Sequence, residues 1–208
     1  MSPTRTATRG RRGAASTPRS RTRRWLLIGV AATLGVVAAI GISRVDFDKA
    51  LKEITLPLRH DDIIRQQAAE KQLDPALIAA VIYAESHFSG GESPAGAIGL
   101  MQITPRTAHA IARLSGGTAF VTADLNDPEI NIRYGCFYLR HLLDRYGGNE
   151  VAALAGYNAG TGNVDRWGGS DLSLEQIGFP ETRAYVEEVL DKRGEYRDKY
   201  AADLGVAG

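Results

Sequence analysis

The sequence predicts a mainly α protein, a helical domain over residues 60–200 preceded by one transmembrane helix. Three observations carry that reading. Asp74-Pro75, Thr104-Pro105, Asp127-Pro128 and Pro180-Glu181 are helix starts, each with a capping residue before proline or with proline at the first helical position. No segment shows the two-residue alternation of a strand; Ala119-Phe120-Val121 is the best candidate and is too short to build a sheet. The composition also changes abruptly at Trp25, from a basic polar stretch to an uncharged apolar run.

The chain has 208 residues, 44% hydrophobic and 24% charged, which suits one ordinary domain plus extra sequence and excludes a wholly disordered protein. Its single cysteine, Cys136, excludes an internal disulfide and a cysteine zinc cluster. The net charge of +1 conceals an asymmetry. Residues 1–24 hold eight Arg and no acid, leaving 17 basic and 24 acidic residues, a net of −7, for the rest. An acidic globular part argues against nucleic acid as a partner.

Residues 1–24 lack the apolar residues of a core and read as a disordered basic tail on the cytoplasmic side. The run at 25–42 carries no charge. At about 1.5 Å per residue it covers roughly 27 Å, close to the bilayer's hydrocarbon thickness. Arg21, Arg23 and Arg24 precede it, so the N-terminus is expected inside and the remainder outside, as a single-pass protein of the cell membrane. A cleaved signal peptide is the rival reading, against which stand the length of the run and the missing small-x-small site. A twin-arginine signal is a weaker match at Arg23-Arg24. Every exported reading puts residue 43 onward in the same place.

Residues 43–59 read as a linker. A short amphipathic helix is expected over 61–72, then one from Pro75 to about Phe88 with Asp74 as its cap. A loop rich in Gly and Ser follows at 89–99. Further helices are expected from Pro105 to about Ser115, from Pro128 to Gly147-Gly148, over 150–155 before Gly156, and from Pro180 to about Tyr200. Functional loops are expected at 89–104 and 156–167, and a flexible tail at 201–208.

Glu85 is the most informative residue. Leu77, Val81 and Glu85 are spaced i, i+4, i+8, so an acid stands where an apolar stripe calls for a hydrophobic residue. Desolvation and the negative end of the helix both raise a carboxyl's pKa, and a carboxyl so placed can donate a proton near neutrality. The competing reading is a boundary Glu with its head in water. Gly91-Glu92-Ser93-Pro94-Ala95 fails as a nucleophile elbow, because Ala95 replaces the last glycine and Pro94 removes an oxyanion-hole N–H. His60, His87, His109 and His141 form no metal-binding pair, and neither metal nor cofactor is expected. Tyr157, within Gly156-Tyr157-Asn158-Ala159-Gly160, is either a packed turn residue or one aimed at a site.

Taken in order, Glu85-Ser86, the segment SPAGAIGLMQITP at 93–105, NIRYG at 131–135, GYNAGTGNVDRW at 156–167 and ETRAYVEEVL at 181–190 resemble the soluble lytic transglycosylase family. The likeness runs from about Leu58 to Leu190. The pattern departs at Gly90-Gly91, where Asn-Pro is common, at Thr104, where Met is frequent, and at Gly156, where Ala is frequent. The resemblance implies a lysozyme-like helical fold with a glycan-binding cleft, acting on peptidoglycan glycan strands between N-acetylmuramic acid and N-acetylglucosamine. It implies Glu85 as the single catalytic acid and base, with Ser93 on the substrate's N-acetyl group and Gln102 and Tyr157 lining the cleft. Ser86, Met101 and Asn158 are implied as loop supports. Two other classes stay open. A hydrolytic muramidase needs a second carboxylate, for which Glu92, Asp124, Asp127 and Asp165 are the candidates. A non-catalytic glycan-binding module would keep the groove and dispense with Glu85. No protein partner is legible.

Overall fold

The computed structural model describes residues 54–116 and 121–206. The tail at 1–24 and the apolar segment at 25–42 lie outside these residues, as do Ala119 and Phe120 of the candidate strand. Among the described residues no helix is long and apolar enough to cross a membrane.

Among the described residues seven α-helices of a turn or more follow in order: α1 (Asp61–Lys71), α2 (Pro75–Ser86), α3 (Pro105–Ser115), α4 (Pro128–Arg145), α5 (Glu150–Ala159), α6 (Thr161–Trp167) and α7 (Pro180–Leu204). Short 3-10 turns at Thr122–Asn126, Gly169–Asp171 and Leu174–Gln176 connect them. Among the described residues the only β pairing is isolated bridges, Glu92 to Ile98 and Ile98 to Ile103. The predicted helix starts hold. Asp74 accepts from the N–H of Ala76 at 3.0 Å, Thr104 from Thr107 at 3.1 Å, and Asp127 from Glu129 and Ile130 at 2.9 and 3.1 Å. Each satisfies donors that a helix N-terminus leaves open.

The core is organised around α2. Residues 76 to 82 are buried without a break, Ala76, Ala79 and Ala80 as fully as Leu77 and Val81. The expected one-sided stripe is therefore a helix enclosed on every side. The alanines let neighbours approach, and Leu77, Ile78, Val81 and Ile82 each contribute roughly 1.5–3 kcal/mol of burial. The long helix α7 lies along α2, and α4 packs on α1 and α5.

Four boundaries differ from the expectation. Helix α2 ends at Ser86, because His87 and Phe88 both turn left-handed (φ 50 and 58), and Phe88 buries its ring. Helix α5 runs through Gly156 to Ala159. Gly156 is there for close packing: a Cβ on it would stand 3.3 Å from the Tyr146 ring and 3.4 Å from Leu142. The break comes at Gly160 (φ 85), and α6 follows at once, so the loop expected at 156–167 is a helix end, one turn and a second helix. Helix α7 passes an irregular Tyr200 (φ −132, ψ 25) and continues to a buried Leu204. At the other end of the domain, Leu56 is buried, and Tyr196 and Tyr200 donate to the carbonyls of Pro57 and Leu56 at 2.6 and 2.7 Å.

Candidate active site

A cavity of about 350 Å³ opens where the end of α2, the 93–104 loop, α4 and the end of α5 meet. Glu85 lies on the last turn of α2 and lines it. Its Oε1 accepts a hydrogen bond of 2.8 Å from the phenol of Tyr185, on α7. Burial pushes its pKa up to about 7, against a smaller downward pull from that bond. Tyr185 and Tyr157 are held well above the ordinary phenol range, first by burial and then by the nearby charge of Glu85. Both keep their protons, so Tyr185 is the donor in the pair.

The loop between α2 and α3 is fixed from several sides. The N–H and C=O of Ile98 pair with those of Ile103, both at 3.0 Å, making one tight turn. Gln102 caps that turn in the left-handed region (φ 47). Its Nε2 donates to the carbonyls of Gly99 and Gly91 at 2.8 and 3.1 Å. From α4, fully buried Asn131 accepts from Met101 N–H at 2.8 Å and donates to the carbonyls of Ile98 and Leu125, both at 2.9 Å. Two glycines make room. A Cβ at Gly99 would fall 2.1 Å from Asn131 Nδ2, and one at Gly135 would fall 2.2 Å from Met101 Sδ. The segment at 131–135 thus supports the loop from behind.

Of the residues the sequence singled out, Glu85, Ser93, Gln102, Tyr157 and Asn158 all line the cavity. Ser93 Oγ accepts from Ala97 N–H at 3.0 Å, leaving its own hydrogen for an acceptor in the cavity. Tyr157 donates to the carbonyl of Met101 at 2.9 Å and so ties α5 to the loop. Asn158 Oδ1 accepts from buried Thr182 at 2.8 Å, tying α5 to α7. Ser86 and Met101 are behind the wall. Ser86 Oγ donates to Leu100 C=O at 2.8 Å, and Met101 fills the space beside Gly135.

Tyr185 and Tyr138 were not singled out. Tyr138 lines the cavity with its ring 5.5 Å from that of Tyr157. Both have a periodic signature: Asn131, Gly135 and Tyr138 share one face of α4, and Thr182, Tyr185, Val186 and Val189 share one face of α7.

The other carboxylates considered lie elsewhere. Asp127 caps α4, Asp124 accepts from Val121 N–H at 3.2 Å, and Asp165 pairs with Arg145 at 2.8 Å. Glu92 is exposed, beside Gly96. Among the described residues, Glu85 is the one acid lining the cavity. No group of three or more His, Cys, Asp or Glu among them is placed to hold a metal ion. A carboxyl that is substantially protonated at neutrality, oriented by a phenol and open to a cavity, is equipped to give up a proton and take one back.

Comparison with known proteins agrees with this geometry. The Transglycosylase SLT domain matches residues 62–178, more than half of the chain. The soluble lytic murein transglycosylase of Escherichia coli K12 is 35% identical over 154 residues, which cover 70% of this chain and 24% of that protein. The structure of the lytic transglycosylase Slt from Pseudomonas aeruginosa superposes with a TM-score of 0.67 at 35% identity, over 73% of this chain and 26% of that one. The 70 kDa soluble lytic transglycosylase of Escherichia coli gives a TM-score of 0.67 at 32% identity, over 75% and 27%. The chain spans about a quarter of the length of these relatives.

Proposed function

Because the chain belongs to the transglycosylase SLT family, we propose that it is a membrane-anchored lytic transglycosylase of peptidoglycan. It cleaves the β-1,4 bond between N-acetylmuramic acid and N-acetylglucosamine and leaves a 1,6-anhydro end. The observation that carries this reading is Glu85, the one acid among the described residues that lines the cavity, with its pKa raised to about 7.

Glu85 in its protonated form donates to the glycosidic oxygen as the bond breaks. The N-acetyl group of the sugar stabilises the positive charge developing at the anomeric carbon, and Ser93 is the hydroxyl available to orient that group. The ionised Glu85 then removes the proton of the 6-hydroxyl, whose oxygen closes on the anomeric carbon. The proton lost in the first step is recovered in the second, and no water is consumed. A hydrolase would use a second carboxylate to activate water or attack the sugar. Without one, the 6-hydroxyl has the advantage of proximity, worth on the order of 7–11 kcal/mol in ideal intramolecular cases.

Anchoring rests on the apolar run at 25–42 behind Arg21, Arg23 and Arg24, which directs the catalytic domain outward. Two experiments test the reading. Purified sacculi are digested and the fragments weighed. Anhydro ends are one water lighter than reducing ends and resist borohydride, whereas reducible muramic acid ends would make the protein a muramidase. Protease added to intact spheroplasts should remove the domain; its protection would refute the topology.

A further inference from the structure

Two residues of α7 act on the cavity from behind its wall. Thr182 and Tyr185 are buried, share one face of the helix, and each bonds a group that lines the cavity. Tyr185 donates to the Glu85 carboxyl and Thr182 to Oδ1 of Asn158, both at 2.8 Å. The acid and the amide are therefore set from a single turn of α7. A buried hydroxyl needs a partner, so Thr182 takes the oxygen end of the amide and leaves the nitrogen, with its two donors, to the cavity. Among the described residues no acceptor meets that nitrogen. Other polar groups of the lining are committed: Gln102 to the carbonyls of Gly99 and Gly91, Tyr157 to that of Met101, and the hydroxyls of Thr104 and Thr107 to each other at 2.9 Å. The Ser93 hydrogen is assigned above to the N-acetyl group. The Tyr138 phenol is open too, but its hydrogen turns about the C–O bond with nothing among the described residues to set it. Asn158 is the open donor whose direction the fold fixes.

We propose that Asn158 holds the 6-hydroxyl of the muramic acid being cleaved, and that Thr182 is the residue that positions Asn158 to do so. The inference rests on the lytic transglycosylase reading above and deepens it by naming what favours ring closure over attack by water. The 6-hydroxyl has one hydrogen and two lone pairs. Its hydrogen passes to the ionised Glu85, and one lone pair forms the bond to the anomeric carbon. The second lone pair is the acceptor that an N–H can use without obstructing either event. The hydroxymethyl group that carries it turns about the C5–C6 bond. A donor held rigid by the core stops that rotation in the conformation that closes the ring, which is how a fixed contact turns proximity into rate. Without the donor the hydroxyl is more often turned away, and water reaches the same carbon. Asn158 thereby acts on the reacting sugar, beyond the loop-supporting role that its sequence motif implies.

The test uses the full chain on purified sacculi, as wild type, Asn158→Ala, Thr182→Val and the double variant. Val keeps the shape of Thr and lacks its hydroxyl. Two quantities are read: turnover, and the fraction of new muramic acid ends that borohydride reduces. Asn158→Ala should lose roughly three- to tenfold in turnover, the scale of one hydrogen bond, and the reducible fraction should rise several-fold. Thr182→Val should shift both in the same direction by less, Thr182→Ser should restore them, and Thr182→Val should add nothing once residue 158 is Ala. An unchanged reducible fraction in Asn158→Ala overturns the proposal, whatever its turnover. A Thr182→Val effect of equal size with and without the Asn158 amide overturns the positioning role, as does a fall in melting temperature with no change in the ends. Should Thr182→Val fail to fold, Asn158→Ala, at an exposed position, decides the proposal by itself. A wild type that already leaves mainly reducible ends is a different failure: the lyase reading falls, and with it the ring closure that Asn158 would serve.

Discussion

Replacing Glu85 by Gln should make the protein more stable above neutral pH while abolishing most of its activity. Glu85 has a folded-state pKa of about 7 against an ordinary 4.5, so the folded protein holds this proton more tightly than the unfolded chain does. The sign follows by linkage. Stability associated with the protonated carboxyl is fully present below 4.5, declines as pH rises towards 7, and is gone above it. Gln is close in shape to the protonated acid, and its oxygen can accept the same hydrogen bond from Tyr185. The gap of about 2.5 pH units, at about 1.4 kcal/mol each, sets an upper scale of about 3.5 kcal/mol. Glu85 also faces an open cavity, so about 1–3 kcal/mol is expected at about pH 8 and close to none at about pH 4. Urea titrations of both forms at the two pH values measure the difference, with sacculus digestion run in parallel. A gap of equal size at both pH values would locate the effect in packing and refute the desolvation argument. Near-wild-type turnover in the variant would remove Glu85 from the mechanism.

Three further perturbations follow from the geometry. Tyr185→Phe removes the hydrogen bond that pulls the Glu85 pKa down. The alkaline limb of the kcat profile should move up by roughly one pH unit, the scale of a hydrogen bond to a charged group, and kcat should fall; an unmoved limb counts against the pairing. Gly135→Ala drives a methyl into Met101 Sδ and should displace the loop, at a cost of roughly 1–3 kcal/mol in a melting experiment and with a raised KM. Gly194→Ala, on α7 with nothing within 4 Å, should instead raise stability by roughly 0.5–1 kcal/mol. If both alanines behave alike, the contact at Gly135 is not what the loop depends on.

Much of the helical frame was legible because helix starts are local. Asp74, Thr104 and Asp127 announce themselves beside a proline, and all three caps form. Helix ends were less legible because glycine has two uses. Gly156 reads as a stop, yet it is a contact point for Tyr146 and Leu142, and Gly160 is the actual break. Glu85 was found by a stripe argument that proved too narrow. With residues 76 to 82 all buried, what marks Glu85 is an acid shortly after an unbroken buried run. Its partner Tyr185 lies 100 residues away, a separation that no local pattern spans. The loop supports from α4 were visible only as residues of the 131–135 block, since their purpose depends on a loop 30 residues earlier.

The local conformation around Glu85 is one its own sequence would not choose. His87, Phe88 and Gln102 are left-handed without being glycine, each at a cost of about 1–2 kcal/mol, and all three flank the acid or its loop. The carboxyl adds the cost of its own desolvation. These costs are offset by ties from distant parts of the chain. Phe88 is sealed into the core, Asn131 bonds two groups of the loop and joins them to Leu125 in the turn before α4, and Tyr157 and Ser86 bond the carbonyls of Met101 and Leu100. Such an arrangement places the reorganisation needed for proton transfer in folding rather than in the reaction, which is how a preorganised site lowers a barrier. It also explains why the loop needs Gly99 and Gly135 rather than merely small residues. With backbone and amide groups brought this close, even one methyl group would stand where Asn131 or Met101 must be.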